Sequence, residues 1–303
     1  MNEAALDLQF PLVPGERRLE IPVEDAVLSA AVKPAAGRAK GLIVFVHGAA
    51  SNASRWEEFV DKTALSENWA LVRFDMRGHG GSSSRRPGRL EDHAADINAV
   101  MGAAGCAGSC IAVGHSLGAA AVLMHAKRFP GRTAGIALID PLLEGCLTAE
   151  ARAMEGRQPI LRGLALLGSI FRAFGWFGLS RRLAPCRLRT MDEEARRMIA
   201  EGGEALEAFQ RSYSSPLNDL KHERLDVLAQ DFLEAARSLR LPALKGSLLV
   251  MGAASGVFTD PAEMKRLTEV AGGRFKLLDC LHWPLTECRP EVEAALEKWL
   301  KRF

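Results

Sequence analysis

The 303-residue sequence predicts an α/β protein: a mostly parallel central sheet covered by helices on both faces, with an inserted all-helical cap. Three observations predict it. Short apolar runs alternate with helical stretches toward both ends of the chain, the pattern of strands joined by helical crossovers. Runs such as 42–46 (LIVFV) are apolar at every position, as strands buried on both faces are. Between the two alternating stretches, residues 141–243 hold several helical patterns and no convincing strand. These boundaries give a core of residues 1–140 and 244–303 and a cap of residues 141–243. One large domain carrying an insertion is what this length allows.

In chain order, residues 17–23 (RRLEIPV) and 27–33 (VLSAAVK) are two β-like runs parted by a polar turn. The third strand, 42–46, ends in His47-Gly48-Ala49-Ala50. Residues 55–66 have helical spacing, with Trp56, Phe59, Val60 and Leu65 roughly on one side. The fourth strand is 70–74 (ALVRF), followed by Asp75-Met76-Arg77-Gly78-His79-Gly80-Gly81-Ser82. A helix at 90–103 precedes the fifth strand, 110–114 (CIAVG), and the helix 117–129 stops at Pro130-Gly131. The sixth strand, 134–139 (AGIALI), ends at Asp140-Pro141. Beyond the cap come a seventh strand (247–251), a helix opened by Asp260 before Pro261, an eighth strand (275–279) and a last helix (290–302). Asp260 has the character of an N-cap, with proline at the first helical position.

Composition excludes several partners. The 39 basic and 37 acidic residues leave a net charge of +2, too small a surplus for nucleic acid. No apolar run is long enough to span a bilayer, so any membrane contact is at most peripheral. The first ten residues lack a basic segment followed by an apolar one, so no signal peptide is expected. Cys106, Cys110, Cys146, Cys186, Cys280 and Cys288 form no CxxC pair, and reduced thiols in a cytoplasmic protein are the expectation. Cys280, His282 and Cys288 are close in sequence, but zinc needs a fourth ligand and tighter pairing, so no metal is expected. No G-x-G-x-x-G or P-loop suggests a nucleotide, and no cofactor is expected. Oligomeric state is left open.

The cap is lopsided in charge. Residues 152–189 hold eight arginines and one acid, Glu155, a net of +7; residues 192–234 carry a net of −6. The basic half includes PILRGLALLGSIFRAFGWFGL at 159–179. Such a stretch is either a helix pair with arginines reaching outward, or a lid that lines a lipophilic pocket or touches a membrane surface. Leu164, Leu166, Leu167, Ile170, Phe171, Phe174, Trp176 and Phe177 crowd it, which favours an apolar pocket.

The strongest chemical signal is Gly114-His115-Ser116-Leu117-Gly118, set between a strand and a helix. A nucleophilic serine must project from a sharp turn, and glycines on either side remove side chains that would clash there. With His47-Gly48, FDMRGHGGSS at 74–83 and Leu281-His282-Trp283-Pro284, the sequence resembles the α/β-hydrolase superfamily over nearly the whole core. More narrowly it resembles a serine esterase, lipase-like, with a helical cap placed after the sixth strand. The resemblance implies Ser116 as nucleophile and His282, after the last strand, as its base. It gives His47 and His79 structural loop positions, while His115 is expected to point away from the serine. It implies an oxyanion hole made by the backbone N–H groups of Ala49 and Leu117.

The acid departs from the superfamily's commoner pattern. After the seventh strand, Ser255 or Gly256 stands where a carboxylate is usual. Some members place the acid at the tip of the sixth strand, here Asp140. Asp260 is the alternative acid, and Glu144 or no acid remain. The implied activity is hydrolysis of a lipophilic small-molecule ester through an acyl-enzyme. An acyltransferase, thioesterase, lactonase or carbon–carbon bond hydrolase would use the same triad. A non-catalytic ligand-binding protein on this scaffold is the remaining alternative.

Overall fold

The computed structural model describes residues 10–174, 186–213, 215–237, 239–243 and 246–303. Two antiparallel strands, β1 (Arg17–Val23) and β2 (Ala26–Lys33), lead into β3 (Leu42–Val46), β4 (Ala70–Phe74), β5 (Cys110–His115), β6 (Thr133–Ile139), β7 (Leu248–Ala253) and β8 (Arg274–Leu278). They lie in the order β1-β2-β4-β3-β5-β6-β7-β8, and a two-residue strand, Ser83–Ser84, pairs with β2 to make nine. From β4 onward every pairing along this order is parallel. The C-terminal ends of β3, β5 and β6 therefore open on one edge of the sheet, where the loops of such sheets gather ligands.

The all-apolar β3 shows why the sheet is covered twice. Leu42, Val44 and Val46 join a core with the helices Leu90–Ala103 and Leu117–Arg128, while Ile43 and Phe45 face Trp56, Phe59 and the last helix, Arg289–Leu300. Phe45, Trp56 and Phe59 stack with ring centroids 4.8 to 5.7 Å apart. The predicted helix at 55–66 is divided: 3-10 turns Ala53–Trp56 and Ala64–Glu67 flank a short helix, Glu57–Lys62. Thr63 breaks it, because its extended backbone leaves the helix while its side chain accepts from Leu65 N–H.

Between β6 and β7 the described residues form helices Ala149–Glu155, Gln158–Phe174, Leu188–Glu201, Gly203–Tyr213, Pro216–Asp219 and Leu225–Ala235. Gln158–Phe174 lies tight on Leu225–Ala235: a Cβ at Gly168 would sit 2.5 Å from the Asp226 nitrogen. Polar contacts tie the insertion to the core. Arg55 is ion-paired with Asp192, Asn52 Nδ2 donates to the Cys186 carbonyl (2.9 Å), Leu90 N–H donates to Glu234 (3.0 Å), and Glu57 takes Arg187 and Arg189. Arg187 and Arg189 of the basic segment and Asp192 and Glu234 of the acidic one thus pack against the core. No helix of the described residues is long and apolar enough to cross a membrane.

Candidate active site

Ser116 follows β5 with φ 52°, a left-handed conformation that a non-glycine residue adopts only under constraint. The constraint is the packing of strand on helix. A Cβ at Gly114 would lie 2.3 Å from the Gly118 carbonyl oxygen, and one at Gly118 would lie 2.4 Å from that of His47. Both positions must be glycine for the turn to close. Leu117 opens helix Leu117–Arg128, so its N–H has no acceptor within that helix.

Asp140, at the tip of β6, is likewise left-handed, with φ 42°. Its Oδ2 lies 2.6 Å from His282 Nδ1; its Oδ1 accepts from Ala253 N–H (3.2 Å) and Thr259 Oγ1 (3.4 Å). On the far side of the ring, His282 Nε2 lies 3.2 Å from Ser116 Oγ. The three side chains form one hydrogen-bonded run from Asp140 through His282 to Ser116, reached across 142 and 166 residues of chain. With Nδ1–H donated to the buried carboxylate, Nε2 is left as the acceptor for the serine hydroxyl.

The loop bearing His282 is clamped by a residue the sequence did not point to. Glu287 accepts from the N–H groups of both neighbours, Leu281 (2.8 Å) and Trp283 (3.0 Å). Burial raises the Glu287 pKa above its ordinary value. Phe258 packs edge-on to the His282 ring at 4.7 Å.

Asp260 is otherwise engaged. It caps helix Pro261–Val270, accepting from Ala262 N–H (2.8 Å) and Glu263 N–H (3.4 Å). Glu144 forms an exposed pair with Arg240 (2.7 Å). His115 does not simply turn away: its Nε2–H donates to the His282 carbonyl (2.8 Å), and its ring lies 5.1 Å from that of His282. Burial lowers the His115 pKa to about 3, so it stays neutral. His47 holds the loop after β4, accepting from Met76 N–H through Nε2 (3.0 Å).

Ser116, His282 and Ala49 border a cavity of about 670 Å³, a size suited to a small molecule. Leu142, Leu147, Leu188, Met191, Phe232 and Phe258 supply apolar wall. The crowded 164–171 stretch is not part of this wall. Leu166, Leu167, Ile170 and Phe171 face solvent, because the side of their helix that packs is the one carrying Gly168. The side chains of Phe174, Trp176 and Phe177 lie outside the described residues.

His79 also reaches this cavity and is more than a loop support. Its buried Nε2 lies 2.5 Å from Glu223 and 2.8 Å from Asp231, both in the insertion. Burial opposes its charged form, but the two carboxylates outweigh that and raise its pKa well above the imidazole range. The 144- and 152-residue separations explain why no local pattern announces this cluster.

Residues 43–295 match the alpha/beta hydrolase family. A curated relative, 2-(acetamidomethylene)succinate hydrolase of Mesorhizobium japonicum, is 33% identical over 119 residues, which are 38% of this chain and 41% of that protein. The matched region therefore spans less than half of that relative. Among solved structures, a hydrolase from Pseudomonas aeruginosa superposes with a TM-score of 0.64 at 18% identity, covering 95% of this chain and 98% of its own. An enol-lactonase from Burkholderia xenovorans gives 0.63 at 19% identity, covering 94% and 100%. At these identities the structural likeness concerns the fold.

Proposed function

The chain belongs to the alpha/beta hydrolase family, and on that premise we propose that it is a serine hydrolase cleaving a carboxylic ester of a lipophilic small molecule. The observation that carries this reading is the hydrogen-bonded run Asp140–His282–Ser116 bordering a cavity. In this reading Ser116 Oγ attacks the ester carbonyl while His282 Nε2 takes its proton. Asp140 fixes the Nδ1–H tautomer and stabilises the imidazolium. The backbone N–H groups of Ala49 and Leu117 receive the oxyanion. His282 then returns its proton to the departing alcohol, and a water activated by the same imidazole releases the acid.

Residues 141–243 serve as a cap over the cavity. Leu188, Met191 and Phe232 of that segment line it and favour an apolar acyl or alcohol group. The proposal includes a cytoplasmic location, in keeping with six unpaired cysteines. Thioester, lactone and carbon–carbon cleavage share the same chemistry. The relative from Mesorhizobium, named a hydrolase, favours water over an alcohol as acyl acceptor.

The test has two parts. A fluorophosphonate probe should label wild type at Ser116 and leave Ser116→Ala unlabelled, with turnover of p-nitrophenyl esters falling by about 10³–10⁶ in that variant. Along the ester series, kcat/KM should climb from acetate toward hexanoate or octanoate. A folded wild-type chain that neither labels nor turns over would make this a binding protein on a hydrolase scaffold.

A further inference from the structure

The outer face of helix Gln158–Phe174 is apolar, and among the described residues nothing covers it. Ile160 is 65% exposed, Leu166 65%, Leu167 43%, Ile170 45% and Phe171 63%. At 100° per residue these five fall on one arc of about 140°, which adjoins the packed arc of Leu161, Leu164 and Gly168 at Phe171. Clustered exposed side chains of this size mark a contact surface.

Charge indicates what the contact is. The stripe lies in the +7 segment, 152–189. Within that segment Arg187 and Arg189 are held by Glu57, and Arg172 turns inward toward Asp226. Arg152, on helix Ala149–Glu155, and Arg157, which also borders the cavity, are exposed, and Arg162 is exposed one turn before Leu166 at the border of the stripe. An apolar stripe bordered by an exposed arginine, in a segment with a basic surplus, is the arrangement of helices that lie in a bilayer interface, apolar side down and basic groups at the anionic headgroups.

We propose that the Ile160–Phe171 face docks the protein on an anionic lipid surface. The docking itself does not depend on Ser116 or on the reaction.

Co-sedimentation of the full chain with phosphatidylcholine vesicles, with and without phosphatidylglycerol, tests this. The chain should pellet with the anionic vesicles, much less with the neutral ones, and less as salt rises. Leu166→Ser with Phe171→Ser should weaken the partition by about tenfold or more, with the melting temperature unchanged, since both side chains are exposed. Arg162→Gln should weaken it by about fivefold, and this single variant decides the question should the double variant fold poorly. Absence of vesicle binding, or binding indifferent to these substitutions, overturns the proposal. So does sedimentation equilibrium showing a self-association that the same serines abolish, which would make the face an interface between copies.

Discussion

Ser116 and Asp140 are two non-glycine residues with left-handed backbones, at φ 52° and 42°, each directly after one of two adjacent parallel strands. Such conformations cost on the order of 1–3 kcal/mol each, so the fold holds both side chains in place against a local preference. The proposed role of Asp140 makes a sharp expectation. Asp140→Asn keeps the shape and loses the charge, so turnover should fall by about 10²–10⁴ with little change in melting temperature. Asp260→Asn should be nearly silent in the same assay, because asparagine caps a helix about as well as aspartate. The opposite ranking would move the acid to the loop after β7. Glu287→Ala should release the His282 loop by removing the acceptor for two N–H groups. Turnover is expected to drop by roughly 10–100-fold at nearly constant KM, since the substrate cavity is unaltered. A change in KM alone would show that Glu287 does not position the histidine.

Among the elements, the all-apolar strands are readable because burial on both faces leaves no polar position to confuse the pattern. The helical spacing at 55–66 overstates its helix: such a period says which side is apolar, not where a threonine will leave the helix. Glycines in the insertion separate packing from propensity. Gly168→Val must push helix Gln158–Phe174 off the Asp226 backbone, 2.5 Å from the added Cβ, and should lower the melting temperature by several degrees. Gly163→Ala, on the same helix with nothing within 4 Å of its Cβ, should instead stabilise by up to about 1 kcal/mol. Thermal unfolding of both variants checks the helix contact directly.

At the scale of the molecule, core and insertion meet around a polar wall of the cavity that includes Asp219, Glu223 and His79. Burial, reinforced by the Glu223 charge, raises the Asp219 pKa to about 7. A carboxyl with a raised folded-state pKa binds its proton more tightly folded than unfolded. Its stabilising contribution is therefore full below the unfolded value of about 3.9 and is lost as pH rises through about 7. Asp219→Asn removes that loss. Its melting temperature relative to wild type should be higher at pH 8.5 than at pH 5.5, and an equal offset at both would refute the assignment.

The sequence by itself determined the sheet, its helical insertion and the sharp serine turn. Each is a local pattern: period, apolar run, or glycines spaced for a turn. It also offered Asp140 and Asp260 without deciding between them, because the choice depends on which carboxylate meets His282 across 142 residues of chain. Only the tertiary structure brings Asp140 to His282 and gives Asp260 to a helix N-terminus. The outward face of Gln158–Phe174 and the Glu287 clamp were decided at the same level. An apolar residue lowers its free energy equally well in a core, a pocket or a membrane interface. The solvent or neighbour it finally meets is set by how the other elements pack, and a one-dimensional pattern does not carry that information.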